Sequence, residues 1–134
     1  MEPGFEATTN DITVRVRVAY LAEQSQPEHD RYFWAYHITI INQGVETVQL
    51  LKRTWHITDA AGQVRRVHGE GVVGEQPVLG PGEHFEYTSG VPLPTPTGFM
   101  AGAYHMRLVP SGMGFDVAVP AFSLDSPHQN SRLH

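Results

Sequence analysis

Apolar and polar residues alternate along several segments of this chain. From Ile12 to Val18 every second residue is aliphatic and the residues between are threonine or arginine, which predicts a half-buried β-strand. Residues 32–42 alternate in the same way, and the bulky side chains at the even positions are expected to face the core. These core positions are Tyr32, Trp34, Tyr36, Ile38 and Ile40.

Further strands are predicted wherever alternation or a β-branched run is bounded by a turn signal. They cover residues 48–59, 63–68, 84–89, 99–109 and 115–124, with a short extended piece at 77–79. Pro120 in the last strand indicates an edge position or a β-bulge, because proline cannot donate to a sheet ladder. No segment shows a helical period, and turn signals recur about every ten residues. The pattern predicts an all-β fold, an antiparallel β-sandwich of seven to eight strands.

Composition agrees with this fold and bounds the domain. The chain has 134 residues with 13 glycines and 10 prolines, which are too many chain breakers for a helical bundle. This length suits one domain, which we place at residues 11–125. Residues 1–10 and 126–134 are polar and lack a periodic pattern, so both are expected to be flexible tails.

A hairpin register follows from the turn at residues 59–62, whose Asp-Ala-Ala-Gly sequence fits a type I turn ending in a left-handed glycine. This turn pairs His56 with Arg66 and Thr54 with His68. Because residues two apart in a strand share a face, four basic side chains are expected on one face of the hairpin. They are Lys52, His56, Arg66 and His68, with Glu70 opposite Lys52.

The hairpin leads into Gly69-Glu70-Gly71-Val72-Val73-Gly74, which matches the pattern GxGxxG. A dinucleotide-binding site needs a helix that begins in this motif, and Pro77 and Pro81 prevent one. Two interpretations stay open: a structural turn that requires glycine at positive φ, or a loop whose amides bind a phosphate-type anion beside the basic face. The candidate ligand-binding residues of the second interpretation are Gly69, Gly71, Gly74, Lys52, Arg66 and His68.

Catalytic and metal chemistries find no support in the sequence. The chain has no cysteine, which excludes thiol nucleophiles, disulfides and thiolate metal sites. Its eight histidines never stand in a His-x-His or an i, i+4 arrangement, so no metal site is predicted. No Gly-x-Ser-x-Gly nucleophile motif occurs, and no carboxylate pair has a usable spacing. We therefore predict no catalytic residues, no cofactor and no enzymatic activity.

Charge and hydropathy limit the classes of binding partner and the cellular compartment that are expected. Nine basic against 14 acidic residues give a net charge of −5, which argues against nucleic-acid binding. No apolar stretch approaches the ~18 residues of a transmembrane helix, so no membrane contact is predicted. The N-terminal segment lacks the basic and apolar parts of a signal peptide. A cytoplasmic protein is the expectation.

Three segments closely resemble the bacterial ApaG family, and the resemblance covers about residues 10–125. The segments are RTWHITDAAGQV at 53–64, GEGVVGEQPVLGPGEHFEYTSGVPLPTPTGFMAGAYHM at 69–106, and FDVAVPAFSL at 115–124. The resemblance implies an immunoglobulin-like or fibronectin type III-like sandwich. It also implies a genetic association with cobalt resistance and magnesium efflux, and protein–protein contacts of the kind attributed to related eukaryotic domains. The family's glycine motif, here Gly69, Gly71 and Gly74, has prompted a nucleotide or pyrophosphate proposal.

Together these features predict a non-enzymatic binding module whose partner is another protein, with a homodimer left open. The alternative is weak binding of phosphate, pyrophosphate or a nucleotide at the glycine-rich loop. The structure of that loop discriminates between them. A partner-binding domain is expected to present Val72 or Val73 on a rigid surface. An anion binder is expected to turn consecutive N–H groups towards the ligand, with Lys52 or Arg66 nearby.

Overall fold

The alternating segments form β-strands in the computed structural model, which describes residues 4–128. Two short 3₁₀ turns, Ala22–Gln24 and Pro27–His29, interrupt the extended chain. Among the described residues, no helix has the length and apolar character needed to cross a bilayer. The strands in that part of the chain are β1 (Gly4–Thr9), β2 (Ile12–Tyr20), β3 (Tyr32–Asn42), β4 (Val48–Asp59), β5 (Val64–Glu70), β6 (Val78–Leu79), β7 (His84–Leu93), β8 (Gly98–Leu108) and β9 (Gly114–Leu124).

The strands form two antiparallel sheets that enclose one hydrophobic core. The first sheet has the strand order β1-β2-β3-β7, and the second has the order β5-β4-β8-β9, with β6 also paired to β4. The predicted all-β antiparallel sandwich is therefore confirmed. All five even positions predicted to face the core from β3 are buried, and Trp34 is completely enclosed. Trp34 Nε1–H donates a 2.8 Å hydrogen bond to the carbonyl oxygen of Asp125.

The predicted hairpin register is confirmed in β4 and β5. His56 lies opposite Arg66 and Thr54 lies opposite His68. The Asp59 N–H closes the turn by donating to the Gln63 carbonyl oxygen at 3.0 Å. Since the turn involves only adjacent residues, the local sequence was sufficient to set this register.

Pro120 lies in an edge strand and also in a β-bulge, the two alternatives predicted for it. β9 is the edge strand of its sheet, and its pairing with β8 shifts between Met100 and Gly102. Met100 pairs with Phe122 and Gly102 with Val119, so Pro120 lies in a bulge of the edge strand. The missing N–H of proline therefore removes no regular ladder bond.

The prediction of a flexible N-terminal tail over residues 1–10 is wrong for residues 4–9, which form β1. This strand pairs along its length with β2, and the ring of Phe5 packs 6.1 Å from that of Phe122. A signal for the hairpin was present in Asn10-Asp11, where both residues have positive φ as a two-residue hairpin turn requires. The alternation in residues 4–9 was weak because Phe5 is its only bulky apolar residue.

The prediction of a flexible C-terminal tail over residues 126–134 is wrong for its first residues. Ser126 is buried, and its Oγ–H donates a 2.6 Å hydrogen bond to the carbonyl oxygen of Pro96. The ring of His128 packs against Tyr20 and Tyr32, with centroid distances of 6.0 and 5.9 Å. Residues 1–3 and 129–134 lie outside the described residues.

The two lateral sides of the sandwich differ. On one side β1 packs against β9, and the Ala118 N–H donates to Thr9 Oγ1 at 3.3 Å. On the other side, β5 and β7 end their respective sheets. A 3.5 Å bond from Arg65 Nη2 to the Pro92 carbonyl oxygen links these two edges. The second sheet therefore presents the outer backbone edge of β5.

Candidate functional site

The glycine-rich segment forms a tight turn directly after β5. The Val72 N–H donates to the Glu75 carbonyl oxygen at 2.8 Å, and the Glu75 N–H donates back to Val72 at 2.9 Å. Val73 and Gly74 form the tip, with φ values of 42° and 81°. The Gly71 N–H donates to the Leu51 carbonyl oxygen at 2.8 Å, so the turn is also bonded to β4.

Arg53 holds the turn from the β4 side. Its Nη1–H groups donate to the carbonyl oxygens of Glu70 at 3.0 Å and Gly71 at 2.8 Å. Gly69 lies against the guanidinium, where a Cβ atom would stand 2.9 Å from Nη1. A Cβ atom at Gly71 would collide with the Glu75 carbonyl oxygen. Close packing therefore explains two of the three motif glycines without a ligand.

The amides of the turn fall into two groups. The N–H groups of Gly71, Val72 and Glu75 bond to the protein's own carbonyl oxygens, whereas the backbone hydrogen bonds of residues 4–128 do not include the N–H groups of Val73 and Gly74 at the tip. Val72 is completely buried and Val73 is 55% exposed. The turn is thus anchored by one valine and presents the other to solvent.

The structure places the predicted basic side chains on the outer face of the second sheet, away from the core. Lys52, His56, Arg66 and His68 are all exposed. Lys52 lies opposite Glu70 on β5 and opposite His105 on β8, but its ammonium forms no ion pair within residues 4–128. We refer to His56, Arg66 and His68 as the basic patch.

His68 also ends a chain of hydrogen bonds that was not predicted from the sequence. Asp116 Oδ1 lies 2.8 Å from His105 Nδ1, and His105 Nε2 lies 2.8 Å from Thr54 Oγ1. Thr54 Oγ1 is in turn 2.8 Å from His68 Nδ1. These four side chains cross β9, β8, β4 and β5 in order, and we call them the relay.

The relay has the order carboxylate, imidazole, hydroxyl, which in hydrolases activates a nucleophile. Its hydroxyl is poorly placed for attack. Thr54 is 7% exposed, and its oxygen is already bonded to an imidazole on each side. An attacked carbon atom must approach the oxygen closely, so this arrangement favours proton exchange between histidines over nucleophilic catalysis.

A shallow cavity of about 420 Å³ adjoins the relay on the same outer face. Lys52, His105 and Asp116 line its polar side, and Leu51 lies at the point where the pairing of β4 with β8 shifts.

Across the described part of the chain, histidine and carboxylate side chains nowhere gather in a group of three that could hold a metal ion.

An apolar edge lies beside the basic patch. β5 and β6 both pair with the same side of β4, and the turn at Val73 connects them. The exposed large hydrophobic side chains along this edge are Val64, Val73 and Val78. The edge thus combines unpaired backbone groups with apolar side chains, which is the combination that a second strand can use.

Comparisons with known proteins agree with one another. A family model described as the ApaG domain matches residues 22–108. Protein ApaG of Rhodospirillum centenum is 62% identical over 128 residues, covering 96% of this chain and 98% of that protein. Protein ApaG of Paramagnetospirillum magneticum is 56% identical over 130 residues, covering 97% and 99%. The crystal structure of a Bordetella pertussis protein superposes with a TM-score of 0.85 at 47% identity, covering 89% of this chain and 96% of that chain.

Proposed function

The chain belongs to the ApaG domain family, and we propose that it is a non-enzymatic cytoplasmic module that binds a protein partner along the β5–β6 edge. The observation that carries the proposal is Val73 at the tip of the turn. A β-branched residue is strained at positive φ, and glycine or asparagine adopts that conformation more easily. Val73 has a φ of 42° and remains 55% exposed, so burial within the fold does not offset the strain.

The rigidity of the turn supports the same role. Val72 is buried in the core, and Arg53 bonds two carbonyl oxygens at the base of the turn. Val73 is consequently presented without the entropy loss that a mobile loop would suffer on binding. An apolar side chain held in this way suits an anchor at the centre of a small interface.

The free edge of β5 supplies the second component of the surface. Its outer N–H and C=O groups are available to an extended segment, which would add a strand to the sheet. Val64 and Val78 flank this edge with exposed apolar side chains. The expected partner is therefore a protein segment that is extended and carries apolar residues at alternate positions.

The test compares two valine variants in pull-downs from bacterial cytosol, quantified by isotope labelling. Val73→Asn removes the apolar tip while suiting the positive φ, and Val45→Asn is the matched control at a valine that is 90% exposed elsewhere. A partner is expected to be retained by the wild type and by Val45→Asn, and to be depleted about tenfold by Val73→Asn. Equal retention by all three proteins would refute the edge as the binding surface.

Sedimentation equilibrium on the purified protein tests whether the partner is a second copy of the same chain. A concentration-dependent dimer that is weakened by Val73→Asn and unchanged by Val45→Asn would identify the partner as another copy. A monomer at all concentrations, combined with no retained protein in the pull-down, would overturn the proposed function.

A further inference from the structure

We propose that the basic patch binds a dianionic oxyanion and that the relay turns this binding on as the pH falls. The proposal concerns the outer face of the second sheet and does not depend on a protein partner at the β5–β6 edge. It rests on the order of hydrogen-bond donors and acceptors that Asp116 imposes on the relay, and on basic side chains of the patch that form no ion pair within residues 4–128.

The direction of the relay at neutral pH follows from Asp116. An ionised carboxylate only accepts hydrogen bonds, so His105 must carry its proton on Nδ1. The Nε2 of neutral His105 is then an acceptor, and Thr54 Oγ1–H donates to it. The single hydroxyl proton is thereby used, so Thr54 Oγ1 accepts from His68 Nδ1–H. His68 consequently presents the lone pair of Nε2 to solvent, which disfavours an anion.

Uptake of one proton by the relay changes the hydrogen-bonding role of the exposed His68 Nε2. If the charge rests on His68, both of its nitrogens carry protons. If the charge rests on His105 beside Asp116, His105 Nε2–H donates to Thr54, and Thr54 Oγ1–H donates to His68 Nδ1. His68 is then neutral with its proton on Nε2. Both placements of the charge convert the exposed His68 Nε2 from an acceptor into a donor.

The surroundings of His68 suit an oxyanion at this nitrogen. Arg66 lies two residues away on β5, opposite His56 on β4, and none of the ion pairs among the described residues involves either side chain. On β8 the residues opposite His56 and Thr54 are Ala101 and Ala103. Small side chains there leave room above the sheet. Arg66 can donate two parallel hydrogen bonds to one oxyanion, and the exposed His56 ring lies directly opposite it.

The remaining charges on this face make the binding stronger at acidic pH. Glu70 follows His68 by two residues on β5 and lies opposite Lys52 on β4. Asp116 on β9 contacts His105 on β8 and is 70% exposed. Arg66 and Lys52 balance the two carboxylates, and Arg107 on β8 donates to Gln49 Oε1 at 3.0 and 2.8 Å. Protonation of the histidines adds positive charge beside the bound anion.

The experiment is a titration with sodium sulfate, followed by amide and imidazole nitrogen shifts in NMR at about pH 5.5 and about pH 7.5. Sulfate stays dianionic across this range, so any pH dependence comes from the protein. Sodium chloride at matched ionic strength controls for screening. We expect shifts centred on the basic patch, with sulfate binding roughly tenfold tighter at the lower pH. Shifts that are scattered, or equal with chloride, would overturn the site.

Two variants test the relay, and a third is the control. Thr54→Val removes the hydroxyl that links the two histidines. Asp116→Asn replaces the carboxylate, which only accepts hydrogen bonds, by an amide that both donates and accepts, so the direction of the hydrogen bonds along the relay is no longer imposed. Each is expected to reduce the tenfold pH effect to about threefold, because neutral His68 is then free to carry its proton on Nε2 and to bind sulfate at the higher pH as well. The wild-type His68 Nε2 shift should change from an acceptor to a donor value, and this change should move to a different pH in both variants. His37→Gln removes a histidine bonded to Thr88 at 2.8 Å on the first sheet, and should alter neither readout.

Asp116→Asn keeps the relay testable if Thr54→Val fails to fold, because the side chain of Asp116 is largely exposed. A full tenfold pH effect in the folded variants would show that the relay plays no part. O-phosphoserine in place of sulfate distinguishes a phosphate ester from a free oxyanion. Tighter binding of O-phosphoserine would assign the site to esters, and equal binding would assign it to the free ion.

Discussion

Tyr87 and Tyr104 join the two sheets through a 2.6 Å hydrogen bond between their hydroxyl oxygens. Tyr87 belongs to β7 and Tyr104 to β8, and both side chains are buried. Burial raises the pKa of both hydroxyls well above the ordinary tyrosine value of 10.0, and for Tyr104 the neighbouring Tyr87 raises it further. The pair is thus a polar contact inside the hydrophobic core, and each hydroxyl is the hydrogen-bond partner of the other.

Tyr104→Phe is expected to lower the free energy of unfolding by about 1–3 kcal/mol, because the Tyr87 hydroxyl is left buried without its partner. The double variant Tyr87→Phe/Tyr104→Phe should cost less than the sum of the two single variants. Urea unfolding monitored by circular dichroism measures all three values. Strict additivity would show that the two hydroxyls do not interact in solution.

Stability is expected to fall steeply above pH 10. Burial raises the pKa of Tyr36, Tyr87 and Tyr104 in the folded state, so the unfolded chain releases these protons first as the pH rises. The stabilisation is complete below about pH 9 and is lost progressively as the pH rises from the unfolded tyrosine value of 10.0 towards the raised pKa values of the folded state. Tyrosinate absorbance and circular dichroism, recorded along the same alkaline titration, should show these three tyrosines ionising together with unfolding. Their ionisation in a folded protein would contradict the prediction.

The motif glycines are expected to differ in their tolerance of alanine. A Cβ atom at Gly71 meets the Glu75 carbonyl oxygen and φ there is +62°, whereas the space around Gly74 is open although φ is +81°. Gly71→Ala should cost about 2–4 kcal/mol and Gly74→Ala about 1 kcal/mol, as judged from urea midpoints. Equal costs would mean that the turn rearranges to accommodate the methyl group that Gly71→Ala introduces.

Val73→Asn is expected to stabilise the protein while weakening the proposed partner contact. Asparagine tolerates the positive φ of this position better than a β-branched residue, so the midpoint of urea unfolding should rise by the equivalent of roughly 0.5–1 kcal/mol. Val45→Asn, at a valine without positive φ, should leave the midpoint nearly unchanged. A loss of stability in Val73→Asn would show that Val73 serves the fold itself.

Trp34→Ala is expected to lower the free energy of unfolding by about 3–5 kcal/mol, because the whole side chain is enclosed in the core. Trp34→Phe should cost less, since it retains much of the apolar volume and loses the bond to the Asp125 carbonyl oxygen. A cost below about 1 kcal/mol for Trp34→Ala would contradict the burial of this residue.

Local patterns were sufficient for the strands and for one hairpin. The alternation in residues 32–42 predicted which side chains of β3 are buried, because successive side chains of a strand point to opposite faces. The Asp-Ala-Ala-Gly turn predicted that Thr54 faces His68, because a short turn leaves a single pairing of its flanking residues. Half of the relay was therefore visible in the sequence. β1 was missed because its stability comes from β2 and β9 more than from its own composition.

Local patterns specify the all-β class, the buried face of β3 and the basic face of the β4–β5 hairpin, since each depends on the period of side chains and on turn chemistry within a few residues. His105 and Asp116 join the relay through the packing of strands that are distant in the chain. His105 bonds to Thr54 across 51 positions of the chain, through the pairing of β8 with β4. That pairing is selected by how the apolar faces of distant strands pack into one core, and no local periodicity specifies which strand becomes the neighbour.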